Sequence, residues 1–256
     1  MKTEIKRIAS FLFIPLLSLL APGSMLNAQV ERSPVAPAYE RVQNIMEEAY
    51  EQFLSENSGA PADYIPELAR VEPDLFGISI VTVDGEVFNI GHTEQVFSIQ
   101  SISKVFTLAM VMEELGESAI LEKLGTEPTG MPFNSVLAIE FQQSKVGNPL
   151  VNAGAIATTS LLAGANEEEK WLKILDFYSG CAGEELSILQ DVYESEAATN
   201  DRNQAIARLL AAYGRMYDDA GEAVDLYTRQ CSVGIDCKQL ATMGATMAAG
   251  GVNPFT

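Results

Sequence analysis

The chain has 256 residues, 47% of them hydrophobic, enough for one domain or two small ones around a sizeable core. Its 35 acidic residues outnumber 16 basic ones, for a formal net charge of −19, which argues against nucleic acid and anionic membrane surfaces as partners and otherwise marks solubility. The single histidine, His92, excludes a multi-histidine metal site, and no HExxH occurs, so no metal and no cofactor is expected.

Residues 1–28 read as a secretory signal peptide: Lys2, Lys6 and Arg7 precede an apolar run from Ile8 to about Ala21, and small and polar residues follow. Cleavage is expected after Ala28, although Leu26 at the −3 position is not ideal. A spanning helix needs about 20 apolar residues. Pro15 and Pro22 interrupt this run, so no stable membrane span is expected in the mature chain. The expected location is beyond the inner membrane, in the periplasm. Residues 29–38 are polar and proline-bearing and read as a linker, which leaves 39–256 as one domain.

Arg41 to Leu54 has helical spacing in Val42, Ile45, Met46, Ala49, Tyr50 and Phe53, and Asn57-Ser58-Gly59-Ala60-Pro61 ends it. Ala62 to Ala69 is a loop or short turn. From Leu75 to Gly91, two β-rich runs flank Asp84-Gly85, a strong hairpin signal. His92 lies in the polar loop that follows and receives no role. The next segment, from Val96 to about Gly116, predicts an amphipathic helix with Ile102, Val105, Phe106, Ala109 and Met112 on its packed side.

A helix and a Thr-Gly turn are expected over 117–130, then a loop-rich stretch over 131–148. Pro149 to Ala155 leads into an apolar helix that runs through Leu162. Asn166 caps a helix over 167–178, residues 187–193 read as a short helix or loop, and Asn200 starts another helix. Two more helices cover 222–231 and 237–249, stopped by Gly250-Gly251. The three cysteines, Cys181, Cys231 and Cys237, show no Cys-x-x-Cys spacing. Cys231 and Cys237 can bridge in an oxidising compartment, but buried free thiols are the expected state.

The helix after the hairpin carries Ser101-Ile102-Ser103-Lys104. Residues three apart on a helix share a face, so the Ser101 hydroxyl and the Lys104 amine can meet. A serine hydroxyl needs a base to become a nucleophile, and a lysine kept neutral by a desolvating pocket can be that base. The pair suits acyl transfer through a serine ester. A bare Ser-x-x-Lys has little specificity, so the neighbouring blocks decide.

Those blocks are FSIQSISKVF, the stretch Glu127 to Asn134, NPLVNAGAI from Asn148, SEAATNDRN from Ser195 and LYTRQCS from Leu226, with ADYIPELA from Ala62 and GGVNP from Gly250. In this order, spread over about residues 40–256, they resemble the serine-dependent glutaminases. The resemblance implies an α+β fold of the serine β-lactamase and transpeptidase type: a mostly antiparallel sheet packed with helices, beside an all-helical subdomain. It implies hydrolysis of L-glutamine to L-glutamate and ammonia, and a homodimer or homotetramer.

Residue by residue, Ser101 matches the nucleophile and Lys104 its base. Tyr227 matches a residue that assists proton transfer or holds substrate, and the sequence does not choose between these. Glu196 matches the acidic binder of the substrate ammonium. Asn152, Asn203, Tyr64 and Tyr227 match hydrogen-bonding positions, and Gln100 contributes from beside the serine. The Ser101 N–H is a natural oxyanion donor near a helix start.

A lone two-stranded ribbon is marginal, and no further strand of its sheet is visible in residues 92–256. The last strands of the fold are therefore expected to be missing from this chain. The family's second tyrosine and its Lys-Ser-Gly-like strand are not matched, so residues 1–256 alone are expected to be inactive or poorly folded, while the full-length gene product is expected to be active. Two other readings compete: a β-lactamase or penicillin-binding acyl transferase, and a non-catalytic binder of glutamine or glutamate. The former usually adds Ser-Asp-Asn or Tyr-x-Asn, and neither occurs here.

Overall fold

The computed structural model describes residues 36–256. The expected signal peptide, and the linker up to residue 35, lie outside the described residues. Helix α1 (Ala36–Phe53) starts within the stretch read as linker. Among the described residues, no helix is long and apolar enough to cross a membrane.

The hairpin forms as its turn chemistry dictates. Strands β1 (Gly77–Val81) and β2 (Val87–Gly91) pair antiparallel, from Gly77 opposite Gly91 to Val81 opposite Val87. The Gly85 N–H donates to the Thr82 carbonyl at 3.0 Å, with Gly85 at φ +88°, a conformation that glycine adopts without a Cβ clash. Asp84 ties the turn to α1 by accepting from the Tyr39 hydroxyl at 2.6 Å. Tyr50 stacks on Phe76 with ring centroids 5.1 Å apart. Among the described residues no third strand joins this pair; α1 and α10 (Cys237–Ala248) pack against it.

A second, very small sheet is not foreseen by the sequence. Strands β3 (Phe97–Ser98), β4 (Ser187–Ile188) and β5 (Val233–Ile235) lie in the order β3-β5-β4, all antiparallel. Strands of two or three residues are too short to show a period. This sheet places the segment before Ser101 beside the end of α9 (Ala220–Cys231), since the Ile99 N–H donates to the Val233 carbonyl at 2.8 Å.

The helical body comprises α2 (Ser103–Leu115), α3 (Glu117–Lys123), α4 (Val136–Phe141), α5 (Asn152–Thr159), α6 (Glu167–Ala182), α7 (Gln190–Ala197), α8 (Asp201–Ala212) and α9. Asn166 caps α6 as expected, accepting from the Glu169 N–H at 2.9 Å. Residues 187–193 turn out to be β4 and the start of α7. Asn200 precedes α8 but does not cap it with its side chain, which donates instead to Thr228 Oγ1 at 3.3 Å.

Helix α5 is buried along its whole length and packs against α2, α8 and α9. A Cβ on Gly154 would stand 1.9 Å from the Asn148 carbonyl oxygen, so only glycine lets the Asn148-Pro149 backbone cross this helix.

The packed side of α2 differs from the one its apolar spacing predicts. Ile102, Val105 and Met112 are 39–43% exposed, whereas Ser103, Lys104, Phe106, Thr107, Met110 and Val111 are buried. Polar partners on α6 and α9 draw the Ser103–Thr107 side inward, so a mixed side, with Phe106, Met110 and Val111 beside the polar stripe, faces the helical body. Ser101 itself precedes α2, in a 3-10 turn over Gln100–Ile102.

All three cysteines are free, with Cys181 and Cys231 buried and Cys237 half-buried. Cys231 points at α2, where its Sγ lies 3.7 Å from Ser103 Oγ.

Candidate active site

Six separate elements bring the predicted side chains together. The 3-10 turn presents Gln100 and Ser101, the first turn of α2 presents Lys104, and the first residue of α5 is Asn152. Glu196 lies in the last turn of α7, Asn203 in the first turn of α8, and Tyr227 inside α9. Gln100 has φ +48°, which is rare for a residue with a side chain. Such a conformation persists only where its surroundings impose it, as the β3–β5 pairing does here.

Lys104 Nζ lies 2.5 Å from Ser101 Oγ. The lysine is only 3% exposed while the serine is open to solvent. Burial pushes the Lys104 amine below its ordinary pKa, and the nearby Glu196 carboxylate pulls it partly back. Lys104 also stands 5.6 Å from the centre of the Tyr227 ring. Ser101 is the second residue of its turn, where a backbone N–H has no intrahelical acceptor and stays available to an oxyanion.

On the other side, the buried Tyr227 hydroxyl donates to Asn152 Oδ1 at 3.2 Å, and Asn152 Nδ2 donates to Asn203 Oδ1 at 3.0 Å. Burial raises the Tyr227 hydroxyl well above the usual phenol range, so it is a neutral hydrogen-bonding group. Glu196 is 8% exposed, and its Oε2 has no hydrogen-bond partner. Burial lifts its carboxyl to about 7, against the opposing pull of Gln100 and Lys104. An unpartnered buried carboxylate is costly unless a cation completes it.

Tyr64 stands apart. It is 64% exposed and makes no hydrogen bond to the other site residues, although the Glu196 charge adds to burial in raising its hydroxyl pKa. Neighbouring Ile65 is 3% exposed, and the Glu67 N–H donates to Ser195 Oγ at 3.2 Å, which anchors this loop beside α7.

Sequence reasoning missed the groups beneath the site: Ser103, Thr107, Tyr178, Gln230 and Cys231, all 2% exposed or less. The available signal was the polar stripe of Ser103, Lys104 and Thr107 at helical spacing within an otherwise apolar segment. Among the described residues, no cluster of three or more His, Cys, Asp or Glu side chains is arranged to hold a metal ion.

An open serine hydroxyl against a dry lysine amine, beside a buried carboxylate with an unpartnered oxygen on an α+β scaffold, is an arrangement suited to a hydrolase. A family model described as "Glutaminase" matches residues 59–256. The chain belongs to the glutaminase family. It is 50% identical over 216 residues to Glutaminase 1 of Shigella flexneri, covering 84% of this chain and 70% of that one. It is 49% identical over 225 residues to the glutaminase of Colwellia psychrerythraea, covering 88% and 71%. Its fold is similar to the solved structure of "Probable glutaminase ybaS", with a TM-score of 0.82 at 50% identity over 84% of this chain and 70% of that one. It is also similar to the solved structure of "Probable glutaminase from Bacillus subtilis complexed with 6-diazo-5-oxo-L-norleucine", with a TM-score of 0.71 at 26% identity over 88% and 68%. The chain is a glutaminase, with the α+β, β-lactamase-like fold that the sequence blocks implied.

Proposed function

We propose that this glutaminase hydrolyses L-glutamine through an acyl-enzyme on Ser101, with Lys104 as the base. The observation that carries this reading is the 2.5 Å contact between Lys104 Nζ and Ser101 Oγ, made by a lysine that burial disposes to be neutral. Lys104 takes the Ser101 proton as Oγ bonds to the side-chain amide carbon. The Ser101 N–H faces the developing oxyanion. Lys104 then returns the proton to the leaving nitrogen, because an amide anion cannot depart unprotonated. Ammonia leaves and a γ-glutamyl ester remains. Water, deprotonated by Lys104, attacks the ester carbon; the proton passes to Ser101 Oγ and glutamate departs.

The head group of the substrate supplies what Glu196 lacks. Its ammonium completes the unpartnered Glu196 Oε2, and its carboxylate takes hydrogen bonds from the Asn152–Asn203 side. The Tyr227 hydroxyl, with its hydrogen committed to Asn152, serves in this reading to hold the pocket rather than to move protons. Gln100 orients Glu196, and Tyr64 covers the mouth of the site.

We infer further, from the charge and apolar pattern of residues 1–28, that the chain is exported to the periplasm, and from its family that it works as a homodimer or homotetramer.

Ammonia release from L-glutamine, assayed for the full-length protein and for its Ser101→Ala variant beside a coloured β-lactam, tests the reading. Ser101-dependent ammonia release is expected, with no β-lactam turnover. Opening of the β-lactam, or glutamine binding by calorimetry with no Ser101 adduct, would sink it.

A further inference from the structure

We propose that Gln230, Thr107 and Tyr178 are positioning residues for the Ser101–Lys104 pair, joined in a one-way hydrogen-bond chain that ends on the backbone carbonyl of Ser103. This rests on the acyl-enzyme reading above and extends it to groups that touch neither substrate nor the reacting atoms.

The chain is dry. Gln230, Tyr178 and Ser103 are 0% exposed and Thr107 is 1% exposed. Tyr178 Oη lies 2.8 Å from the Ser103 carbonyl oxygen and 2.6 Å from Thr107 Oγ1, which lies 2.9 Å from the end of the Gln230 carboxamide. Three short contacts need three hydrogens, and the two hydroxyls own one each. Only Tyr178 can serve the Ser103 carbonyl, which has no hydrogen of its own. The contact between the hydroxyls must then use the hydrogen of Thr107. Nothing remains for the third contact unless Gln230 supplies it.

With Oε1 toward Thr107, that contact has no hydrogen left to share, and Gln230 Nε2 is buried without a partner. Turning the carboxamide over supplies the missing hydrogen and gives Nε2 two acceptors. Nε2 then donates to Thr107 Oγ1 and to Thr159 Oγ1 at 3.4 Å, while the Thr159 hydroxyl keeps its own bond to the Ala155 carbonyl at 3.0 Å. The direction is fixed: Gln230 to Thr107, Thr107 to Tyr178, Tyr178 to Ser103.

The chain ends where the site needs a fixed point. Ser103 lies between the nucleophile and its base, and the turn before it carries the unfavourable backbone of Gln100. The β3–β5 pairing holds one side of that turn; the buried chain from α6 and α9 holds the other. A first turn of α2 free to rock would vary the Ser101–Lys104 distance, and misplacement by about 1 Å is enough to cost on the order of a hundredfold in rate.

The test is a set of variants read two ways. For Tyr178→Phe and Thr107→Val, kcat for ammonia release is expected to fall by about tenfold or more with KM changed less than about twofold, because the Glu196 and Asn152 groups stay in place. Thr107→Ser restores the hydroxyl and should restore kcat. Ile139→Val on α4, buried on an element that packs on α8, controls for simple loss of stability and should leave kcat unchanged at a comparable melting temperature. Hydrogen exchange at the backbone amides of residues 103–107 should quicken in Tyr178→Phe and not in Ile139→Val, a readout that needs no turnover. If the full-length parent protein shows no Ser101-dependent ammonia release, the functional reading fails, and exchange alone decides the hydrogen-bond chain. Unchanged exchange in Tyr178→Phe, or a Thr107→Val variant as active as Thr107→Ser, would overturn the proposal.

Discussion

Lys104 and Ser101 sit 2.5 Å apart on opposite sides of a solvent boundary, the amine 3% exposed and the hydroxyl open. That asymmetry suits both partners. A dry amine loses its proton more readily, and an open hydroxyl can meet a substrate.

Lys104→Arg keeps a cation but forfeits the base, because guanidinium does not deprotonate at ordinary pH. Its kcat/KM for glutamine is expected to fall on the order of a thousandfold, within the usual range for losing a positioned base. Lys104→Met should be as inactive yet at least as stable to heat as the parent, since it removes a buried amine that burial already disfavours. Melting temperature and steady-state rates on the two variants check both halves.

Glu196 makes the protein sensitive to pH. Its carboxyl is raised from 4.5 to about 7 by burial, so the fold prefers the protonated form. The unfolded chain binds fewer protons between those values, so stability from this group is full below about pH 4.5 and is lost as pH rises through about 7. Glu196→Gln should therefore stabilise the substrate-free protein at pH 8, by at most ~3 kcal/mol, and do little at pH 4.5. Binding runs the other way, because the substrate ammonium needs the carboxylate. The parent's kcat/KM should decline as pH falls below about 7, and Glu196→Gln should bind glutamine poorly at every pH.

The asparagine pair predicts a split in kinetics. Asn152 accepts from Tyr227 and donates to Asn203, so it orients both neighbours. Asn203→Ala should raise KM several-fold with a small change in kcat, because Ser101 and Lys104 are untouched. A fall in kcat with KM unchanged would count against a head-group role.

Thiol chemistry separates the three cysteines. Cys231 is fully buried, with its thiol pushed up to about 12, and only Cys237 is partly open. Alkylation of the native protein should modify Cys237 first and leave Cys231 unmodified until denaturant is added. Peptide mass mapping before and after unfolding reads this directly.

The sequence made some of this legible for local reasons. Ser101 and Lys104 are three residues apart, so any helical backbone brings them together. Asn166 before three glutamates announces a cap, and Asp84-Gly85 announces a turn. What stayed hidden depends on distant partners. The packed side of α2 is set by Tyr178, Gln230 and Cys231, which lie 71 to 128 residues further along the chain from the α2 groups they touch. Apolar spacing alone therefore found Phe106 but also selected Ile102, Val105 and Met112, which lie on the exposed side. The β3-β5-β4 sheet was invisible because its strands are shorter than one pattern repeat can reveal.

Gly154 shows how the substrate side depends on a backbone crossing. It lies two residues after Asn152, and a Cβ there would stand 1.9 Å from the Asn148 carbonyl oxygen and 2.4 Å from its carbon. Both are backbone atoms, so no side chain can swing away to relieve the clash. Gly154→Ala must push the Asn148-Pro149 crossing off α5 or shift α5 itself, which carries Asn152 and packs on α2, α8 and α9. A loss of at least ~2 kcal/mol is expected from such overpacking, along with a raised KM for glutamine as Asn152 moves from Tyr227 and Asn203. Gly180→Ala, on α6 with no heavy atom within 4 Å of the added carbon, is the control: it should leave KM unchanged and raise stability by up to ~1 kcal/mol, as alanine favours a helix over glycine. If Gly154→Ala folds with normal stability and normal KM, the close crossing does not set the position of Asn152.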